Sequence, residues 1–413
     1  MKYLLLLGDG MADYPLEALE GRTPLDAAAT PAMDAVAQRG VCAQFSPIPE
    51  GYPPGSDVGN LAVFGYKPAE FYTGRAPLEA ANQGIEVGAE ELVFRCNLVT
   101  LEDGTMANFT AGHISSAEGA QLIDALNSAL ADLPVRFHPG VGYRHLAIVT
   151  ASDNELKGLL QVKCTPPHDI SDQPIADYLP GGGSGDVLRT IMERSQSVLQ
   201  THPVNAARVA NGDPPGNSVW LWGQGVAPAL PSYRERFGLT GAVISAVDLV
   251  KGIGRVAGLD VIDVPGATGY LDTDYAGKVE AALGALETRD FVYLHVEAPD
   301  ETAHQGREDL KIQAIEDFDR HVVMPVLDYA QRQENARILV APDHVTAIST
   351  RTHAAGPVPF AMCGTGIDAN GARRYCETEA ERFGLPFPEG HRLVPFWLTQ
   401  PTIDAEALAG LGV

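Results

Sequence analysis

Six short apolar runs constrain what this chain can fold into. "YLLLLGD" (3–9), "GAVISAVD" (241–248), "LDVIDVPG" (259–266), "DFVYLHVE" (290–297), "ARILVAPD" (336–343) and "VPFAMCG" (358–364) each close on or near Gly, Asp or Pro. Helical patterns lie between them, such as "GKVEAALGALETRD" and "DLKIQAIEDFDRHVVMPVLDYAQR" on either side of the fourth run. Continuous apolar runs of this length, alternating with helices, predict buried parallel strands in an α/β sheet covered by helices.

The stretch from roughly 75 to 225 breaks this rhythm. Its strand candidates are shorter and its turns denser, as in "NLVTLEDGTMANF", "YRHLAIVTA", "VWLWG" and "LPGGGSGD". Gly- and Pro-rich segments, "GYKPAEFYTGRAP" and "GQGVAPALPSY", flank it. The chain of 413 residues therefore predicts a main domain from 1–72 and 230–413, carrying a smaller inserted α+β domain over 73–229.

Charge narrows the function classes. Fifty-three acidic against 29 basic residues give a formal net charge of −24. Nucleic acids and anionic membranes attract positive fields, so neither is an expected partner. The same acidity suits metal cations. The five cysteines are widely spaced and include no C-x-x-C, which points to a reducing, cytoplasmic setting rather than a disulfide framework. The opening "MKYLLLLGDG" is too short an apolar run for a signal peptide, and no stretch reaches the length of a membrane span.

In a parallel α/β sheet, functional residues collect past the carboxyl ends of the strands. Asp9 follows the first run, Asp300 and His304 the fourth, and Asp343 and His344 the fifth, with His353 nine residues on. Taken singly, each has an ordinary reading as a turn residue, a helix cap or a loop histidine. Their joint arrival at three strand ends predicts a metal site of oxygen and imidazole ligands without thiolates, suited to Mn²⁺ or Zn²⁺. Asp9, Asp343 and His344 would hold one ion, and Asp300, His304 and His353 a second. Two ions suit in-line phosphoryl displacement, because they stabilise both the attacking and the leaving oxygen.

"EGYPPGSDVGNLAVFGY" (50–66) places Ser56 after a stiff Pro-Pro-Gly turn and before an apolar helical pattern. Ser56 is thus expected at a helix N-terminus, among free backbone N–H groups. It is either a plain capping serine or a hydroxyl activated by a metal ion and phosphorylated in turnover.

These motifs, with "LLLLGDGMADYP", "YTGRAPLEAANQGI", "FRCNLVT", "AGHISS", "VGYRHLAIV", "WLWGQG", "ISAVDLVKGIG", "VPGATGYLDTDY", "HVEAPDETAHQG" and "PDHVTAISTRTH", span essentially the whole chain. Together they resemble the archaeal-type cofactor-independent phosphoglycerate mutases of the alkaline phosphatase superfamily. Gly59 and Lys67 depart from the pattern of many relatives. The resemblance implies an alkaline-phosphatase-like fold and interconversion of 3-phosphoglycerate and 2-phosphoglycerate without bisphosphoglycerate. It also implies a phosphoserine intermediate on Ser56, with Ser56 itself a ligand beside Asp9, Asp343 and His344. The two divalent ions would be manganese first, with zinc, cobalt or magnesium accepted by the same ligands. A mutase must hold glycerate while it turns and must exclude water, and an inserted domain can close as a lid. Candidate substrate residues are His113 as a proton or hydrogen-bond donor, Arg144 and Arg208 as carboxylate clamps, and Asp169 as an orienting group. Lys251 would stabilise the transferring phosphoryl.

Other motifs carry less. "KGIGRVAG" contains G-x-G-x-x-A but lacks the strand–turn context of a dinucleotide site. No P-loop and no G-x-S-x-G occurs. The alternatives to a mutase are a phosphohydrolase or phosphotransferase using the same site on another small phosphorylated acid, and a binding protein that has kept only the fold.

Overall fold

A computed structural model describes residues 1–411. The strands, in chain order, are β1 (Lys2–Gly8), β2 (Val41–Phe45), β3 (Glu91–Glu102), β4 (Thr105–Asn108) and β5 (Val135–His138). There follow β6 (Arg144–Thr150), β7 (Ser218–Gly225), β8 (Gly241–Ile244), β9 (Asp260–Val261) and β10 (Phe291–Val296). The last are β11 (Ala336–Ala341), β12 (Val345–Ala347), β13 (Thr352–Ala354) and β14 (Val358–Gly364). The chain divides into two compact units, residues 1–72 with 229 onward, and Thr73–Pro228.

The first unit is built on a seven-stranded sheet in the order β2-β14-β11-β1-β10-β8-β9. From β11 to β9 all pairings are parallel. The central strand β1 has Leu4 to Leu7 fully buried, as a strand covered by helices on both faces must. Three sequence expectations are corrected here. The run at 358–364 is a strand, but it is antiparallel to both β11 and β2. The run at 259–266 contributes only the two residues of β9, because Asp263 and the turn at Pro265–Gly266 break it early. The strand of "GAVISAVD" ends at Ile244, and Asp248 already begins a helix.

The long helix after β10 is not uniform. Helical turns Glu308–Phe318 and Met324–Ala330 are joined by a π-helical turn, Asp319–Val323. That widened turn carries buried Asp319, whose carboxylate accepts from the backbone N–H groups of Ala32 and Met33 at 3.1 and 2.7 Å. It thereby satisfies donors at the start of the helix Pro31–Gln38, which Thr30 leaves uncapped.

The second unit is an antiparallel sheet of five strands in which long β3 is flanked by β6 and β7. Its helices, including Ser116–Ala129 and Asp186–Leu199, pack Leu122, Ile123, Leu126, Leu188 and Ile191 into a separate core.

Candidate metal centre

β1 lies between β10 and β11, so the three strand ends that carry chemistry are neighbours. Asp9 is the residue after β1. After β10 the chain turns into the helix Ala298–His304, and its one-turn spacing puts Asp300 and His304 on one face. After β11, Asp343 and His344 precede β12, and the hairpin β12–β13 returns His353 to the same place. Ser56 is the first residue of the helix Ser56–Val63, after Gly55, which provides no side-chain cap.

These side chains converge. His344 Nε2 lies 3.3 Å from Asp9 Oδ1, 3.3 Å from Asp343 Oδ2 and 3.1 Å from Ser56 Oγ. Beside this group, Asp300 sits 3.2 Å from His304 Nε2 and 3.4 Å from His353 Nε2, and the two imidazole nitrogens are 3.0 Å apart. The ligand atoms of Asp300, His304 and His353 lie within 4.8 Å of one another, as do those of Asp9, Asp300 and His344.

The electrostatics are those of a cation site. Burial, then the neighbouring carboxylates Asp343, Glu297 and Asp300, push the Asp9 carboxyl well up. Burial pushes Asp343 up to about 7. Burial opposes charge on Asp300 too, but hydrogen bonds from His304 and His353 outweigh it and hold that carboxyl well below its usual range. The His344 imidazole is pushed down to about 3 by burial, so it is neutral and available as a ligand. Asp9 Oδ1 is shielded from water and has no hydrogen-bond partner. Crowded carboxylates, neutral imidazole and an orphaned buried oxygen fit divalent ions bound by oxygen and nitrogen.

A further layer orients these ligands. Asn60 donates from Nδ2 to Asp343 Oδ2 at 2.6 Å and to the Ser56 carbonyl at 2.9 Å, while its Oδ1 accepts from the Tyr293 hydroxyl at 2.7 Å. One buried amide thus ties the serine to a candidate ligand. His295 Nε2 lies 2.7 Å from Asp9 Oδ2 and its Nδ1 3.0 Å from Ser245 Oγ. His304 Nδ1 faces the Arg351 carbonyl at 2.9 Å, which directs Nε2 toward Asp300. Thr346 contacts both Asp300 and His344. Half-buried Glu297, its carboxyl pushed up to about 8 by desolvation and then by Asp300, completes a third cluster with Asp9 and His295. Sequence reasoning named none of Asn60, His295, Glu297 and Thr346. The histidine inside the apolar run "FVYLHV" was the available signal, since a buried strand histidine needs a polar partner.

The candidate substrate residues divide. In the second unit, His113 and Arg144 both adjoin Tyr143, with ring centroids 6.5 Å apart for the histidine and the guanidinium 5.2 Å from the tyrosine centroid. Tyr143 contacts Phe109, which contacts His168, which contacts Trp222, over whose ring Arg95 lies at 4.1 Å. Exposed Asp169 is next to His168. His113, Arg144 and Asp169 are thus linked through a run of aromatic contacts that ends on Arg95, itself ion-paired to Glu79 at 3.0 Å. Arg208 does not join them. Its guanidinium is buried and committed to the carbonyls of Pro214 and Ala111 and to Glu118, at 3.0, 2.8 and 3.1 Å. It braces the Ala111–His113 turn, where both of these residues have positive φ. In the first unit, Lys251 is ion-paired to Asp263 at 2.7 Å.

Comparison with known proteins finds relatives that match over nearly the whole chain. A family model described as 2,3-bisphosphoglycerate-independent phosphoglycerate mutase matches residues 37–205. The 2,3-bisphosphoglycerate-independent phosphoglycerate mutase of Methanosarcina acetivorans is 52% identical over 385 residues, covering 93% of this chain and 96% of that protein. Among solved structures, a protein of Pyrococcus horikoshii superposes with a TM-score of 0.81 at 30% identity, covering 98% of each chain. The cofactor-independent phosphoglycerate mutase of Thermoplasma acidophilum does so with a TM-score of 0.64 at 27% identity, covering 96% of this chain and 100% of that one.

Proposed function

Since the chain belongs to the 2,3-bisphosphoglycerate-independent phosphoglycerate mutase family of isomerases, we propose that it interconverts 3-phosphoglycerate and 2-phosphoglycerate by way of a phosphoserine at Ser56. The observation that carries this reading is the hydroxyl of Ser56 at the rim of a buried carboxylate–imidazole cluster, 3.1 Å from His344. Asp9, Ser56, Asp343 and His344 would hold one divalent ion, and Asp300, His304 and His353 the other, with Mn²⁺ as the proposed metal. When bound, these ions supply Lewis-acid stabilisation of the serine oxygen and of charge on the phosphoryl group.

The chain's own residues set up the transfer. Asn60 fixes the Ser56 backbone against Asp343, and the contact with His344 Nε2 orients the hydroxyl. Ser56 Oγ gives up its proton and forms a bond to phosphorus as the substrate's P–O bond breaks, and the departing glycerate oxygen takes up one proton, so that the step is proton-neutral overall. Attack on the phosphoserine by the other glycerate hydroxyl then regenerates Ser56. Arg144 is proposed for the glycerate carboxylate, His113 for its hydroxyls and Asp169 for orienting it. Lys251 is proposed to leave Asp263 for the transferring phosphoryl. Bisphosphoglycerate has no place in this scheme. The five cysteines, all free, suit a cytoplasmic enzyme.

The test is one assay of purified protein with 3-phosphoglycerate and Mn²⁺, without bisphosphoglycerate. Formation of 2-phosphoglycerate is the expected result. Inorganic phosphate as the main product would make the chain a phosphohydrolase, with the same serine and the same metals.

A further inference from the structure

Thr346 is fully buried, and its single hydroxyl touches a ligand from each half of the metal centre, Asp300 on one side and His344 Nδ1, at 3.1 Å, on the other. A hydroxyl has one proton and two lone pairs. The Asp300 carboxylate only accepts, so the Thr346 O–H donates to it, and a lone pair is left to accept from His344 Nδ1–H. That arrangement strips the proton from His344 Nε2, the nitrogen that faces Asp9, Asp343 and Ser56. The orientation of one carboxylate and the tautomer of one imidazole are thus set by the same oxygen.

Thr346 is itself held on all sides. Its N–H donates to the Ala12 carbonyl at 3.2 Å, and its own carbonyl accepts from Lys311 Nζ at 2.7 Å. The buried Lys311 ammonium also bonds the Ala12 carbonyl at 3.1 Å and Asp13 at 2.9 Å, so the loops after β1 and after β11 are clamped together. Gly10 closes the remaining space. It has φ +56°, and a Cβ there would run into Thr346 Oγ1 and the Asp300 carboxylate.

We propose that Thr346 is a positioning residue shared by the two metal sites, one hydroxyl on which the affinity of both depends. The inference rests on the reading of Asp300 and His344 as ligands of separate ions. The experiment measures Mn²⁺ uptake directly, by the electron paramagnetic resonance of free Mn²⁺ during titration of metal-stripped protein. His353→Ala isolates one site and Asp343→Ala the other. Thr346→Val keeps the shape and removes the hydroxyl, and it should weaken Mn²⁺ about 10- to 100-fold in both backgrounds. Thr346→Ser restores the hydroxyl and should stay within about threefold of the parent. If Thr346→Val does not fold by circular dichroism, Thr346→Ala against Thr346→Ser makes the same comparison.

A loss confined to one background overturns the sharing. Serine behaving like valine, or valine like the parent, overturns the role of the hydroxyl. Wild-type protein that takes up fewer than two Mn²⁺ ions per chain instead sinks the metal-centre reading, and the inference with it.

Discussion

Ser56 is where the chemistry is most exposed to a single substitution. Its hydroxyl is half-buried and its backbone is held by Asn60 rather than by the hydroxyl itself. Ser56→Ala should therefore leave the ligand cluster standing. The expected outcome is near-normal metal content by elemental analysis, a fall of ~10⁴-fold or more in kcat, and no phosphoenzyme after acid quench. Turnover close to wild type would remove Ser56 from the mechanism. At this scale the sequence was informative where polar residues follow strand ends: Asp9, Asp300, His304, Asp343, His344 and His353 lie side by side in the structure, and Ser56 adjoins them. It was uninformative about support. Lys278 and Lys311 are fully buried, yet each sits in an ordinary helical pattern. The hydrogen bonds of Arg208 were equally hidden. A basic residue in a polar helix looks free in sequence, and only the surrounding carbonyls show that it is not.

Among elements, the helix Ser56–Val63 shows how tightly Ser56, the proposed nucleophile, is set. Gly59 lies in its interior, against the main chain of Asp343, and an added Cβ would meet the Asp343 carbonyl oxygen and sit 3.2 Å from the Asp343 Cβ. Backbone on both sides cannot yield as a side chain would. Gly59→Val should cost about 2 kcal/mol of stability by overpacking. It should also lower kcat by about tenfold or more, since small displacements of a reacting group are expensive. Urea denaturation and steady-state kinetics check the two effects separately; unchanged kinetics would mean that the helix can shift without moving Ser56. The parallel strands were legible because continuous apolar runs have few other uses. The antiparallel sense of β14 was not, because a run buried on both faces looks the same in either direction. β2, "VCAQF", was missed because five residues beside a helix give little periodicity.

The whole molecule should be stabilised by its metals. Ions that bind the folded chain alone raise stability with concentration, by about 2.7 kcal/mol at 100 times Kd. Chelation by EDTA should lower the thermal midpoint, and Mn²⁺ should restore it in a concentration-dependent way. A midpoint indifferent to both would argue against a resident ion. Acid should act through the second unit as well. His145 on β6 is buried, its Nδ1 accepts from Gly140 N–H at 3.0 Å, and burial pushes it down to about 4. The unfolded chain takes up this proton near pH 6.5, before the folded one does. The contribution is therefore fully present above pH 6.5 and is lost as the pH falls toward 4, at about 3 kcal/mol in all. His145→Gln keeps an acceptor for Gly140 but cannot titrate, so the urea midpoint should fall less steeply across that window than in the wild type. An unchanged slope would show that His145 is not what acid attacks.

The pairing of β1 has a consequence for how the polypeptide is made. Tyr3 finds its neighbour in Phe291 and Lys2 finds its own in Ala336. At ordinary rates of translation, 5–20 residues per second, the leading strand waits roughly 15 to 60 s for the first of them. For that interval four consecutive leucines lack their strand partners, while the strands that pair with β3 all lie within the contiguous segment from Thr73 to Pro228. The segment that carries Ser56 thus emerges before its strand partners exist, and chaperone demand should concentrate on the first residues rather than on the later insertion.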